Sequence, residues 1–81
     1  MGQKFPQANY RDIVKVAKKL GFCFYRQAKG SHEIWRKTNG RYTTIPNHGS
    51  KSLKRKTLKG ILEDLQITPK EFIKLKKGKS H

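Results

Sequence analysis

His32 and His48 are the side chains with which this chain can do acid–base chemistry near neutral pH; a further histidine, His81, stands in the tail. Imidazole suits RNA cleavage in particular. A ribose 2′-OH attacks its own phosphate once a base removes its proton, and an acid then protonates the leaving 5′-oxygen, so the reaction can run without a metal. His32 ends the run Lys29-Gly30-Ser31-His32, which sets the ring beside a tight turn, with Arg26 and Lys29 nearby to hold a phosphate. By itself, a histidine at the mouth of a hairpin is more often a hydrogen-bonded or exposed residue than a catalyst. The turn and its cations single this one out.

Other chemistries find less support. Cys23, the single cysteine, lies between Phe22 and Phe24 and reads as a small buried apolar residue rather than a nucleophile. There is no CxxC and no Cys/His cluster at zinc spacing. The five carboxylates are scattered, and Glu63 and Asp64 diverge around a helix, so no site for paired Mg²⁺ is formed. No metal or other cofactor is expected.

Twenty Lys and Arg against five Asp and Glu give the 81 residues a formal charge of +15. Such a charge on so small a chain repels itself and collects phosphates, which makes nucleic acid the expected partner. With 33% apolar residues the chain can enclose one modest core, so a single domain over 1–81 is expected and a multidomain enzyme is excluded. No apolar run approaches the ~18 residues of a membrane span, and no amphipathic helix joins a large apolar face to Trp or Phe anchors. Met1-Gly2 resembles an acylation signal, but Pro6 stands where Ser or Thr is needed. A cytoplasmic protein without a membrane partner is expected, in keeping with a lone cysteine.

The elements that must position these residues follow from periodicity. Asn9, with Asp12 three residues on, marks a helix start, and Tyr10, Ile13, Val14, Ala17 and Leu20 recur at helical spacing to Gly21; a first helix is predicted over 10–20. Phe22–Ala28 then changes to a period of two and is closed by Lys29-Gly30. Ser31–Lys37 follows as a second strand, and Asn39-Gly40 favours the positive backbone angles of a tight hairpin. Arg41–Ile45 is the third strand, stopped by Pro46. Residues 47–52 have loop composition. Leu58, Ile61, Leu62 and Leu65 mark a second helix over 55–65, where Gly60 would serve close packing, and Thr68-Pro69-Lys70-Glu71 opens a short third helix. Residues 76–81 are expected to fray. The fold class is therefore α+β, in the order α-β-β-β-α with a short C-terminal helix, and both helical stripes can be buried only on one face of the sheet. Strand two offers His32, Ile34 and Arg36 on one parity and Glu33, Trp35 and Lys37 on the other; neither set is purely apolar, and either could face out. Trp35, Tyr25 and Tyr42 could stack on unpaired bases or fill the core, which is the commoner use of strand aromatics.

Taken in order, Leu20-Gly21-Phe22, Arg26-Gln27-Ala28-Lys29-Gly30-Ser31-His32 and Ile45-Pro46-Asn47-His48 resemble the HicA family of small toxin mRNA interferases, whose hallmark is the Gly-Ser-His strand. The likeness continues through Lys56-Thr57-Leu58-Lys59-Gly60-Ile61-Leu62 and Ile67-Thr68-Pro69-Lys70-Glu71-Phe72; many members have glycine where this chain has Lys56. The resemblance implies a double-stranded-RNA-binding-domain-like fold, metal-independent cleavage of translated mRNA, growth arrest, and neutralisation by a HicB-like antitoxin that covers the active site. It carries the family's catalytic histidine onto His32. The second acid–base group is not fixed by the motif; His48 is the residue to test, against a structural or phosphate-binding role. Around His32, Gly30 and Ser31 would shape the turn, while Arg26, Lys29 and Arg36 would hold the scissile phosphate. The rival reading is a noncatalytic double-stranded-RNA or ribosome-associated module, in which the Lys51–Lys59 run reads A-form shape and no histidine is needed.

Overall fold

The computed structural model describes residues 5–78 and has the order α1 (Tyr10–Lys19), β1 (Cys23–Gln27), β2 (His32–Arg36), β3 (Tyr42–Pro46), α2 (Arg55–Leu65) and α3 (Pro69–Lys77). The α+β class and the three-stranded antiparallel sheet, ordered β1-β2-β3, agree with the sequence-based expectation. Local chemistry explains the helix boundaries. Asn9 and Asp12 cap α1 reciprocally, each side chain accepting from the other's backbone N–H, and Thr68 and Glu71 do the same for α3. The start of α2 differs: its N-cap position, Lys54, makes no side-chain capping bond.

The register sets the faces of the sheet. Glu33 and Trp35 of β2 pair with Ile45 and Thr43 of β3, and all four are buried under the helices, so His32, Ile34 and Arg36 face the open side. The core beneath is built by Ile13, Val16 and Ala17 of α1, Leu58, Ile61, Leu62 and Leu65 of α2, and Phe22, Ile45 and Phe72. The helices α1 and α2 lie over β3. The uncovered β1 has all five residues exposed, and its register with β2 slips between Phe24 and Arg26, leaving Tyr25 as a bulge residue.

Several local expectations are corrected. Cys23 is exposed rather than buried, because β1 is an edge with no helix above it. The second hairpin is not the tight form with two positive angles. Gly40 alone takes one, at φ 91°, while the Asn39 side chain accepts the Arg41 N–H at 2.9 Å and Gly40 N–H bonds to the Lys37 carbonyl. Pro46 is the last residue of β3, tolerated there because β3 is the other edge strand. Gly60 serves no close approach, since nothing lies within 4 Å of where a Cβ would stand. The third helix reaches Lys77, into the segment expected to fray; residues 79–81, His81 among them, lie outside the described residues.

What holds α3 is electrostatic as well as apolar. Lys19 Nζ donates to the carbonyls of Leu75 and Gly78, each at 2.8 Å, and Lys15 Nζ to that of Lys76 at 3.0 Å, so cations of α1 satisfy the carbonyl end of α3. Lys76 in turn bonds the Gln7 carbonyl and pairs with Asp12 at 3.6 Å. Part of the basic face of α1 is thus used within the fold.

Candidate active site

The turn before β2 presents His32. Gly30 takes φ 64°, a left-handed conformation that suits glycine, although a Cβ there would meet nothing within 4 Å. Gln27 Nε2 supports the turn from β1, donating to the carbonyls of Gly30 and His32 at 3.0 and 3.2 Å. His32 Nδ1 lies 3.1 Å from the Lys29 carbonyl oxygen. A carbonyl only accepts, so His32 donates through Nδ1, and Nε2 is the ring nitrogen that this bond leaves available. The imidazole is exposed.

His48 reaches the same place from the loop after β3. His32, Pro46, His48, Lys51, Lys54 and Thr57 line one groove of about 370 Å³. The loop is tied to β2 at two points: Asn47 N–H donates to the Ser31 carbonyl at 2.9 Å, and Asn47 Nδ2 donates to Glu33 Oε2 at 3.3 Å. The Asn47 side-chain oxygen accepts the Gly49 N–H, which shapes the loop around His48. At the groove's far wall α2 begins without a side-chain cap, so backbone N–H groups of its first turn are left with donor capacity beside Lys51 and Lys54. The lining therefore combines two imidazoles, two ammonium groups and a helix start that favours anions.

Glu33 is the hinge of this arrangement. It is 7% exposed, and its Oε1 accepts from Tyr10 Oη at 2.6 Å and from Trp35 Nε1 at 3.0 Å while Oε2 accepts from Asn47. Three donors offset the cost of burying a carboxylate and join α1, β2 and the His48 loop. The Tyr10 hydroxyl is pushed up to about 12, by burial first and then by the adjoining Glu33 carboxylate.

The sequence-predicted residues divide into two groups. Lys29, Gly30, Ser31 and His32 form the turn, His48 joins them across the groove, and Arg26 stands opposite Ile34, one position along the open face. Arg36 does not join them. It lies at the other end of β2, about 13 Å along the strand, with its guanidinium 4.3 Å over the Tyr25 ring. Of the aromatics, Trp35 is core at 4% exposure, whereas Tyr25 and Tyr42 are exposed. Glu33, Asn47, Lys54 and Thr57 were not singled out from sequence as parts of the site. The signal for Glu33 was its parity with Trp35; for Lys54 it was the absence of a capping residue before a clear helical stripe.

A larger hollow, about 660 Å³, lies at the other sheet end between Asn39, Arg41, Tyr42 and Asp64, but it has no histidine and a single carboxylate. Among the described residues no three His, Cys, Asp or Glu side chains group as a metal site would require, and no helix is long and apolar enough to cross a membrane.

Comparison with curated proteins returns no match. A family model does match: that of the HicA toxin of bacterial toxin–antitoxin systems aligns with residues 10–67. Those residues run from α1 through α2 and include the Gly30-Ser31-His32 turn, His48 and the groove between them, so the chain belongs to the HicA toxin family of bacterial toxin–antitoxin systems.

Proposed function

We propose that this toxin is a metal-independent endoribonuclease that cuts mRNA in the cytoplasm and so arrests translation and growth. The observation that carries the proposal is the placement of His32, whose ring is oriented by the bond between Nδ1 and the Lys29 carbonyl and lines a groove shared with His48 and two lysines. In the reaction, His32 Nε2 takes the proton of a ribose 2′-OH, whose oxygen attacks the adjacent phosphorus. A 2′,3′-cyclic phosphate forms, the P–O5′ bond breaks, and the 5′-oxygen takes a proton from the imidazolium of His48. The nucleophile is the substrate's own hydroxyl, so no metal is needed to generate one. Lys29 and Arg26, with Lys51 and Lys54 across the groove, offset charge on the phosphate, Gly30 and Ser31 shape the turn, and Arg36 binds the strand farther from the cut. A HicB-like antitoxin would silence the enzyme by covering this groove.

The test is cleavage of end-labelled single-stranded RNA in EDTA by the wild type and by His32→Ala, with melting curves run beside it. The expected result is a loss of on the order of 10²-fold or more with unchanged melting. Equal cleavage by the two proteins overturns the mechanism. RNA binding with no cleavage by either would leave a noncatalytic binding module.

A further inference from the structure

The open face of the sheet carries a feature that the groove does not use. Among the described residues, Phe24, Tyr25 and Tyr42 are the large apolar side chains left exposed, at 51%, 52% and 59%, and all three stand on the sheet. Phe24 pairs with Trp35 and belongs to the helix side. The other two belong to the open side. Tyr42 pairs with Arg36, and the bulge turns Tyr25 so that its ring lies against the same guanidinium, giving a row Tyr25, Arg36, Tyr42 across β1, β2 and β3. Neighbouring strands are about 4.8 Å apart, so the row spans about 10 Å.

We infer that this row is a stacking platform for unpaired nucleotides of the RNA whose phosphate lies at His32. Three properties favour that occupant. Flat rings alternate with a planar cation, as bases alternate with phosphates along a single strand, and both ring faces and guanidinium planes stack on bases. Carboxylates are scarce here: Glu33 points to the core and the other four stand on helices, of which Asp64 borders Tyr42 across a hollow that Arg41 also lines. The row is also continuous with the groove. It lies about 13 Å from His32 along β2, with Ile34 and Arg26 between them, and at about 3.4 Å of rise per stacked nucleotide that is the reach of roughly four nucleotides. A protein partner would need a contiguous apolar centre, and here each ring has a charged neighbour. A duplex would offer no free base faces, so the platform selects unpaired RNA. The inference rests on RNA as the substrate of the groove, but not on the cut being made.

The experiment therefore separates binding from cleavage. Binding is read by fluorescence anisotropy with a labelled 2′-O-methyl oligouridylate of roughly eight nucleotides, which lacks the attacking hydroxyl, and with a blunt duplex of the same sugar chemistry. Tyr25→Ala and Tyr42→Ala should each weaken binding of the single strand about tenfold, while Tyr25→Phe and Tyr42→Phe retain it and duplex binding is unchanged in all four. Wild-type affinity of the alanine variants for the single strand overturns the platform and leaves the face to a protein partner. Equal losses on single strand and duplex also overturn it, because only charge or folding would then have changed. Cleavage of ordinary RNA by the wild type, scored separately, decides the nuclease reading; a platform that binds in a protein that never cuts would sink that reading alone.

Discussion

The two faces of β2 use adjacent residues for opposite ends. Toward the helices, Glu33 and Trp35 are locked, the carboxylate holding three donors and the indole both packed and hydrogen bonded. Toward solvent, His32 and Arg36 touch little of the fold: His32 has one bond to a carbonyl, and Arg36 rests on an exposed ring. The inward pair fixes where the strand lies and where the His48 loop is tied. The outward residues are thereby placed without being consumed, so stability and the proposed chemistry separate by parity along five residues.

The comparison is broken most forcefully at Trp35. Trp35→Ala should cost about 3–5 kcal/mol through the cavity and the lost donor to Glu33, a large share of the stability of so small a domain. Arg36→Ala, one residue on and facing out, should stay within about 0.5 kcal/mol in the same denaturant titration. Similar losses for the two would abolish the distinction.

Glu33→Gln is the sharper probe, because the amide keeps the shape but turns an acceptor into a donor facing Asn47. A loss of about 1–3 kcal/mol is expected, together with weaker protection of the Asn47 and Gly49 amides in hydrogen exchange. An unchanged loop would show that Asn47 is held by Ser31 alone.

Tyr10 sharpens it further at high pH. Its folded hydroxyl lies near 12, above the ordinary value of 10.0, so its contribution to stability is complete below 10 and is lost as pH rises through 12. The denaturation midpoint of the wild type should fall over that window by more than that of Tyr10→Phe, which has no proton to lose there. Parallel curves would mean that neither burial nor Glu33 raises the hydroxyl.

The smallest effect is expected far from β2. Gly60 stands exposed within α2 with open space at its Cβ. Gly60→Ala should stabilise by up to about 1 kcal/mol and leave the proposed RNA cleavage untouched. Destabilisation would reveal an approach to Gly60 absent from the fold as described.

Much of this organisation was legible in the sequence. The helical stripes, both capping boxes and the order of strands follow from spacing and side-chain type, and the Gly30-Ser31-His32 turn announces itself. The parity of β2 was not legible, since a carboxylate at position 33 resembles a surface residue until its donors from Tyr10, Trp35 and Asn47 are brought together from three separate segments. For the same reason Trp35 and Tyr25 look alike as strand aromatics, yet one is buried in the core and the other stands on an uncovered edge. The meeting of His32 with His48 depends on where a sixteen-residue detour through β2 and β3 returns, and no local pattern encodes that closure.

The slip in β1 bears on self-association. A flat edge strand carrying Phe24 and Tyr25 would be a template on which a second molecule could add its own strand and begin a fibre. Here the extra residue between Phe24 and Arg26 breaks the even row of N–H and C=O groups, twists the strand, and sets an arginine beside the break. The same irregularity that turns Tyr25 toward Arg36 thus denies a copy of the chain a clean edge to extend, and a toxin accumulating without its partner would stay dispersed rather than polymerise along β1.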